Sequence, residues 1–183
     1  MPARLAILLC LLLSCGSAAA QSPAKPKFPN KMGIFAMTSE GPVELKVSGE
    51  PNNVAGALKL ESFYAADSFD KIPKAAWVRS FYVSAMNWIA WRLYLVVGRD
   101  ALVDSLNHYQ MLSSSVISRG VIAFEVTSPD LQNLAWIRQA IKKLAPAGVP
   151  DDQLEAYIVL ELKSTSGLNN RNYPIRIAVP PPQ

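Results

Sequence analysis

Thiols are nearly missing from this 183-residue chain, and their placement narrows what they can do. Both cysteines, Cys10 and Cys15, fall in one N-terminal apolar stretch. From Gly16 onward no disulfide framework, thiolate metal site or cysteine nucleophile can be built. Histidine is rarer still, with His108 alone. A metal centre of the ordinary kind needs several imidazoles, thiolates or carboxylates together. A general base needs a partner within hydrogen-bond reach. His108 is therefore expected to be a surface or capping residue.

Several fingerprints are also absent. The chain has neither G-x-x-x-x-G-K-[ST] nor G-x-G-x-x-G, so no nucleotide cradle is written in it. No G-x-S-x-G elbow occurs, and no S-x-x-K runs from Ser113, Ser114, Ser115 or Ser118. Asp151, Asp152 and Glu155 lack the twelve-residue calcium-loop pattern and suit the start of a helical turn. The sequence thus predicts no catalytic residue, no metal ligand and no cofactor.

Charge is sparse, at 17% of residues, and the formal +4 is unevenly placed. Arg4, Lys25, Lys27 and Lys31 precede Met32, leaving 14 basic against 14 acidic residues beyond it. A nucleic-acid binder carries a basic stripe on its folded face, and none is visible, so no nucleic-acid partner is expected.

What is present in quantity is apolar side chain, 50% of the residues. The richest stretch, Ala75–Val97, holds Trp77, Trp88, Trp91, Phe81, Tyr82 and Tyr94. Arg79, Asn87 and Arg92 interrupt it, and a central charge costs a membrane-spanning helix about 2.5–3.5 kcal/mol. Two core strands fit better. Ile89, Trp91, Leu93, Leu95 and Val97 alternate with Arg92 and Tyr94, the period of a strand with one face on the core.

The rest reads in order. Residues 1–20 have the pattern of an export signal: Arg4, the apolar Leu5–Leu13, then small residues with Ala18 and Ala20 placed for cleavage before Gln21. Leu12-Leu13-Ser14-Cys15 also resembles a bacterial lipobox, which would make Cys15 a lipidation site. The short leader and the lack of an Asn-x-Ser/Thr sequon point to a bacterial source. Residues 21–31 carry three prolines and three lysines and read as an extended linker. Gly33–Thr38 and Val43–Val47 flank turn chemistry and predict a hairpin, and Ala57–Phe63 alternates as a further strand. Ala65–Lys74 reads as a loop.

Asp100 predicts a helix cap, with Leu102, Leu106, Tyr109 and Leu112 on one helix face. Val121–Thr127 reads as a strand. Ser128-Pro129-Asp130 starts a helix to about Leu144, with Leu131, Leu134, Ile137, Ile141 and Leu144 on its apolar face. Leu154–Lys163 and Tyr173–Val179 read as strands, and residues 180–183 as a proline-rich tail.

Together these predict one α+β domain over 32–179, a mostly antiparallel sheet of six to eight strands with two helices packed on one face. Arg79 and Arg92, with Tyr94, mark a candidate binding face, and Glu61, Glu125 and Glu161 are available to pair with the guanidiniums. The expected function is an exported bacterial envelope protein, periplasmic or secreted, that binds a protein partner or a small ligand without catalysis. One alternative is a hydrolase-type enzyme without a recognisable motif. Another is a lipid-anchored accessory subunit, an outer-membrane lipoprotein held to the membrane only through Cys15.

Overall fold

The computed structural model describes residues 28–46, 52–53, 61–62, 72–84, 87–104, 109–166 and 170–182. The chain forms an α+β domain that is mostly sheet. The export signal, most of the linker, most of the predicted 57–63 strand and 65–74 loop, Cys15 and His108 lie outside the described residues.

The first strands, β1 (Ile34–Thr38) and β2 (Gly41–Glu44), form the expected antiparallel hairpin. Its turn is closed by Thr38, whose hydroxyl donates to the Gly41 carbonyl at 2.8 Å and accepts from Glu40 N at 3.1 Å. A two-residue pair, β3 (Asn52–Asn53) with β4 (Glu61–Ser62), forms a separate two-stranded ribbon. Next come β5 (Lys74–Ala75), β6 (Val78–Ser84) and β7 (Trp88–Val97). They precede α1 (Arg99–Asp104), β8 (Tyr109–Val116) and β9 (Ala123–Val126). A 3₁₀ turn (Pro129–Gln132) leads into α2 (Leu134–Leu144), and β10 (Ala156–Ser164) and β11 (Arg171–Ile177) complete the order.

Two sheets replace the single sheet expected. One runs β2-β1-β6-β9 and the other β5-β11-β10-β7-β8, antiparallel except where β5 joins β11. The aromatic stretch does supply two core strands, but β6 and β7 belong to different sheets. Their alternating faces meet in one core. Ile34, Ala36, Phe81, Val83 and Val126 from the first sheet pack with Leu93, Leu95, Ile158, Leu160 and Ile175 from the second.

The helical part is smaller than predicted and is divided between faces. Among the described residues only α2 is a helix of three turns; its Ile137, Ala140 and Ile141 are buried in the core. The predicted helix over 100–112 is a correction. α1 ends at Asp104, and Tyr109–Val116 is the edge strand β8. Ala101 and Leu102 of α1 join Ile72, Tyr94, Val96, Tyr157 and Val159 in a second apolar cluster. These are the residues of β7 and β10 that alternate with the core-facing set, so α1 covers the opposite face of the five-stranded sheet. That sheet is consequently buried on both faces at its middle, which explains the unbroken apolar runs in β7 and β10.

The 128–144 helix is also divided. Ser128 accepts from Asp130 N as the expected cap, but the first turn is 3₁₀ and α2 has its own cap in Asn133, whose Oδ1 accepts from Trp136 N at 3.0 Å. Asn133→Ala is expected to cost about 1 kcal/mol, as loss of an N-cap does; a urea midpoint equal to the parent's would contradict this. The distal end of the linker is packed, not free. The Phe28 ring lies 5.2 Å from that of Tyr82, and Lys31 pairs with Glu44 at 2.7 Å.

Candidate functional site

The outer face of the five-stranded sheet carries a polar cluster at each end of its apolar middle. Register places Arg92 of β7 opposite Glu161 of β10, and Glu161 opposite Asn172 of β11. The Tyr94 hydroxyl donates to Glu161 Oε2 at 3.2 Å. Arg92 lies 3.6 Å from the same oxygen and 3.5 Å from the Tyr94 hydroxyl. Glu161 is buried at 3% exposure and Tyr94 at 4%, whereas the Arg92 side chain is 39% exposed. The cluster is therefore a buried carboxylate and phenol under a guanidinium that reaches solvent. The Tyr94 ring also meets Tyr109 edge-on, at 5.8 Å.

The other end repeats the chemistry. Tyr157 donates to Glu155 at 3.1 Å, Arg99 pairs with Glu155 at 3.0 Å, and Arg176 approaches it at 3.8 Å. The Arg176 guanidinium sits 5.9 Å from the centre of the Tyr157 ring. Asp151 is similarly engaged, by Arg138 at 2.5 Å and Lys142 at 3.2 Å, and Arg138 also donates to the Pro180 carbonyl, fastening the tail. Asp151 and Glu155 thus serve as ion-pair partners.

Of the sequence candidates, the structure brings Arg92 and Tyr94 together and leaves Arg79 on the other sheet. Arg79 is exposed, and its carbonyl accepts from Thr127 and Gln132. Glu161 is the expected partner that meets Arg92. Glu125 is exposed on β9 across from Tyr82, and the side chain of Glu61 lies outside the described residues.

Burial raises the Tyr94 phenol to about 12, with Glu161 adding to the rise and Arg92 opposing it. Burial also pushes Tyr157 up, helped by Glu155. Both phenols therefore stay protonated at neutral pH and act as donors. Unfolded tyrosine loses its proton near pH 10. Between there and about pH 12 the folded chain holds more protons, so this contribution is full below about pH 10 and is lost as pH rises through the folded value. Tyr94→Phe is expected to flatten the alkaline fall in stability. Urea midpoints at about pH 9, 10 and 11 measure it, and identical slopes for both proteins would refute it.

No protein-family model, curated protein or solved structure matches this chain. The site is accordingly argued from its own residues. Among the described residues no group of three His, Cys, Asp or Glu could hold a metal ion, and no helix is long and apolar enough to cross a membrane.

Two features escaped the sequence. The first is a cleft of about 420 Å³ lined by Glu40, Lys74, Ala75, Ala76, Arg176, Ile177 and Ala178. Arg176 stands out in the sequence as a charge within an apolar strand, but its neighbour Lys74 reads as loop. The second is the exposure of β8. No strand lies on its outer side among the described residues, and Met111 and Val116 are 55% and 80% exposed.

Proposed function

We propose that this chain is an exported, non-catalytic interaction domain of the bacterial cell envelope, and that its protein partner docks along the β8 edge. The observation that carries this is the chemistry of that edge. β8 is eight residues long, with neither charge nor proline. Sheet edges of that kind pair readily with another strand, which is why free edges usually carry lysine, proline or a bulge. Its one bulge falls at Leu112, and the Leu112 carbonyl accepts from the Ser128 hydroxyl at 3.4 Å, so the stretch from Ser113 to Val116 is the open part. Ile89, on the neighbouring strand β7, adds a further exposed apolar side chain. Arg92, opposite Ser114, offers a guanidinium beside the same edge. An extended partner segment would gain main-chain hydrogen bonds there and specificity from these side chains.

Export rests on the signal-like pattern of residues 1–20. An intact mass beginning at Gln21 is the expected result for the cell-derived protein. A diacylated mass beginning at Cys15 would favour the lipid-anchored reading instead.

The docking test is crosslinked capture from the host with tagged parent chain, with Met111→Lys/Val116→Lys, and with Val149→Lys as a control. A stoichiometric partner lost only in the double variant supports the proposal. A partner captured equally by all three, or by none, overturns it and returns attention to the enzymatic alternative.

A further inference from the structure

One end of both sheets gathers several chain reversals. β6 ends there at Ser84 and β7 begins at Trp88. β8 ends at Val116 opposite Ala90, and β9 begins at Ala123 opposite Ser84. β1 starts at the same end, since Ile34 pairs with Val83, and β10 finishes there with Ser164 opposite Trp88. Backbone hydrogen bonds tie these segments together: Ser84 N donates to the Gly33 carbonyl at 2.9 Å, Ile117 N to that of Ile89 at 2.8 Å, and Thr165 N to that of Asn87 at 3.3 Å. We propose that this end rests on a lipid surface with anionic headgroups, into which Met32, Ile89, Val116 and Ile122 dip.

These four side chains are 66%, 42%, 80% and 64% exposed, and they are four of the seven large apolar side chains exposed among the described residues. Apolar groups gathered in the open mark a surface that a partner covers. They come from both sheets and from the entering chain, so they are spread across an end and form no groove for a single peptide. A plane meets all of them at once. The charges fit an anionic plane. Lys31, Lys46, Arg119, Lys163 and Arg171 lie at or beside this end. The nearest acids are Glu44, paired with Lys31 at 2.7 Å, and Glu125, two residues into β9. Glu40 and Glu155 lie at the opposite end, after β1 and before β10. Arg119 is exposed at the tip of a turn: Val121 N donates to the Ser118 carbonyl at 3.4 Å, and Gly120 takes φ of 82°, as the third position of a type II turn requires. Val116 and Ile122 flank that turn in the chain. Apolar side chains can enter the acyl boundary there while the guanidinium stays among the headgroups. Basic side chains near an anionic surface each add attraction. Residues 28–34 bring the chain into the domain at this end, so the linker with Lys25 and Lys27 joins it on the side that faces the lipid.

The test uses the chain from Gln21, which keeps every described residue but lacks the apolar leader and Cys15, so neither can carry it to lipid. It is sedimented with vesicles of phosphatidylcholine alone and of phosphatidylcholine with phosphatidylglycerol in equal parts. Binding is expected to the mixed vesicles only. Ile122→Ser should weaken it about tenfold through lost apolar contact, and Arg119→Gln about fivefold through one lost attraction. Both side chains are exposed, so neither variant disturbs the core, and Val149→Ser should bind as the parent does. Val116 also borders the β8 edge and is left unchanged, so the result is independent of the capture experiment. A paramagnetic headgroup label should broaden the amides of Gly33, Gly120 and Thr165 and spare those of Glu40 and Glu155. No sedimentation with the mixed vesicles, equal binding to both vesicle types, or an Ile122→Ser variant that binds as the parent does would overturn the proposal. So would broadening at both ends alike. Loss confined to Lys25→Gln/Lys27→Gln would assign the contact to the linker and overturn it as well.

Discussion

Phe81→Ala is expected to unfold in much less urea than the parent chain, with a loss of about 3–5 kcal/mol. Phe81 is fully buried, paired in register with Ala36 on β1 and Val126 on β9, and it faces the strands of the second sheet across the shared core. Truncation removes the ring's transfer free energy and leaves a void that two stiff sheets cannot close. Domains of this size are stable by about 5–15 kcal/mol in total, so the variant should be partly unfolded under mild stress. The next residue provides the control. Tyr82 points the other way, is half-buried, and touches Phe28. Tyr82→Ala should cost clearly less. Equal losses would mean that the two sheets do not share the core described above.

Glu161→Ala is the second large effect, expected at about 2–4 kcal/mol. The carboxylate is itself buried, and its removal leaves the Tyr94 hydroxyl without its acceptor in a sealed place. An unsatisfied buried polar group costs about 1–3 kcal/mol, and the lost packing adds to it. Arg92 softens the outcome, because its partly exposed guanidinium can turn to water and avoid the full penalty of a stranded buried charge. Glu161→Gln keeps the shape and an acceptor and should lose roughly half as much. A double-mutant cycle with Tyr94→Phe separates the pair from the background. Additive losses would show that the Tyr94–Glu161 hydrogen bond contributes nothing of its own.

The parts of the fold visible in the sequence are those governed by local pattern. The turn between Thr38 and Val43 was legible from its residue types, and the alternation in β7 and the apolar face of α2 from spacing. The helix misread over 100–112 shows the limit. Leu102, Tyr109 and Leu112 fit a helical period by coincidence: Leu102 belongs to α1, while Leu112 reaches the core only because β8 has a bulge there. Ser113–Ser115 lie in β8, an edge strand that tolerates such residues well. Partition into two sheets was not legible either, since alternation tells which face a residue takes and not which strand it pairs with. The double burial of the larger sheet left a trace in the runs Leu93–Val97 and Tyr157–Leu160, where both parities are apolar.

The same reasoning explains the site. Arg92 and Glu161 could be matched as charges in neighbouring strands, but the Lys74–Arg176 juxtaposition depends on a parallel pairing between distant parts of the chain.

The position of β10 has a kinetic consequence. It is the middle strand of its sheet, yet nearly the last in sequence order among the described strands. Until it arrives, β7 has only β8 for a strand neighbour, and its other edge has no strand to pair with. Such long-range closure slows folding and leaves sticky surface exposed while it is pending. A chain built this way completes its larger sheet only when its late segments are available.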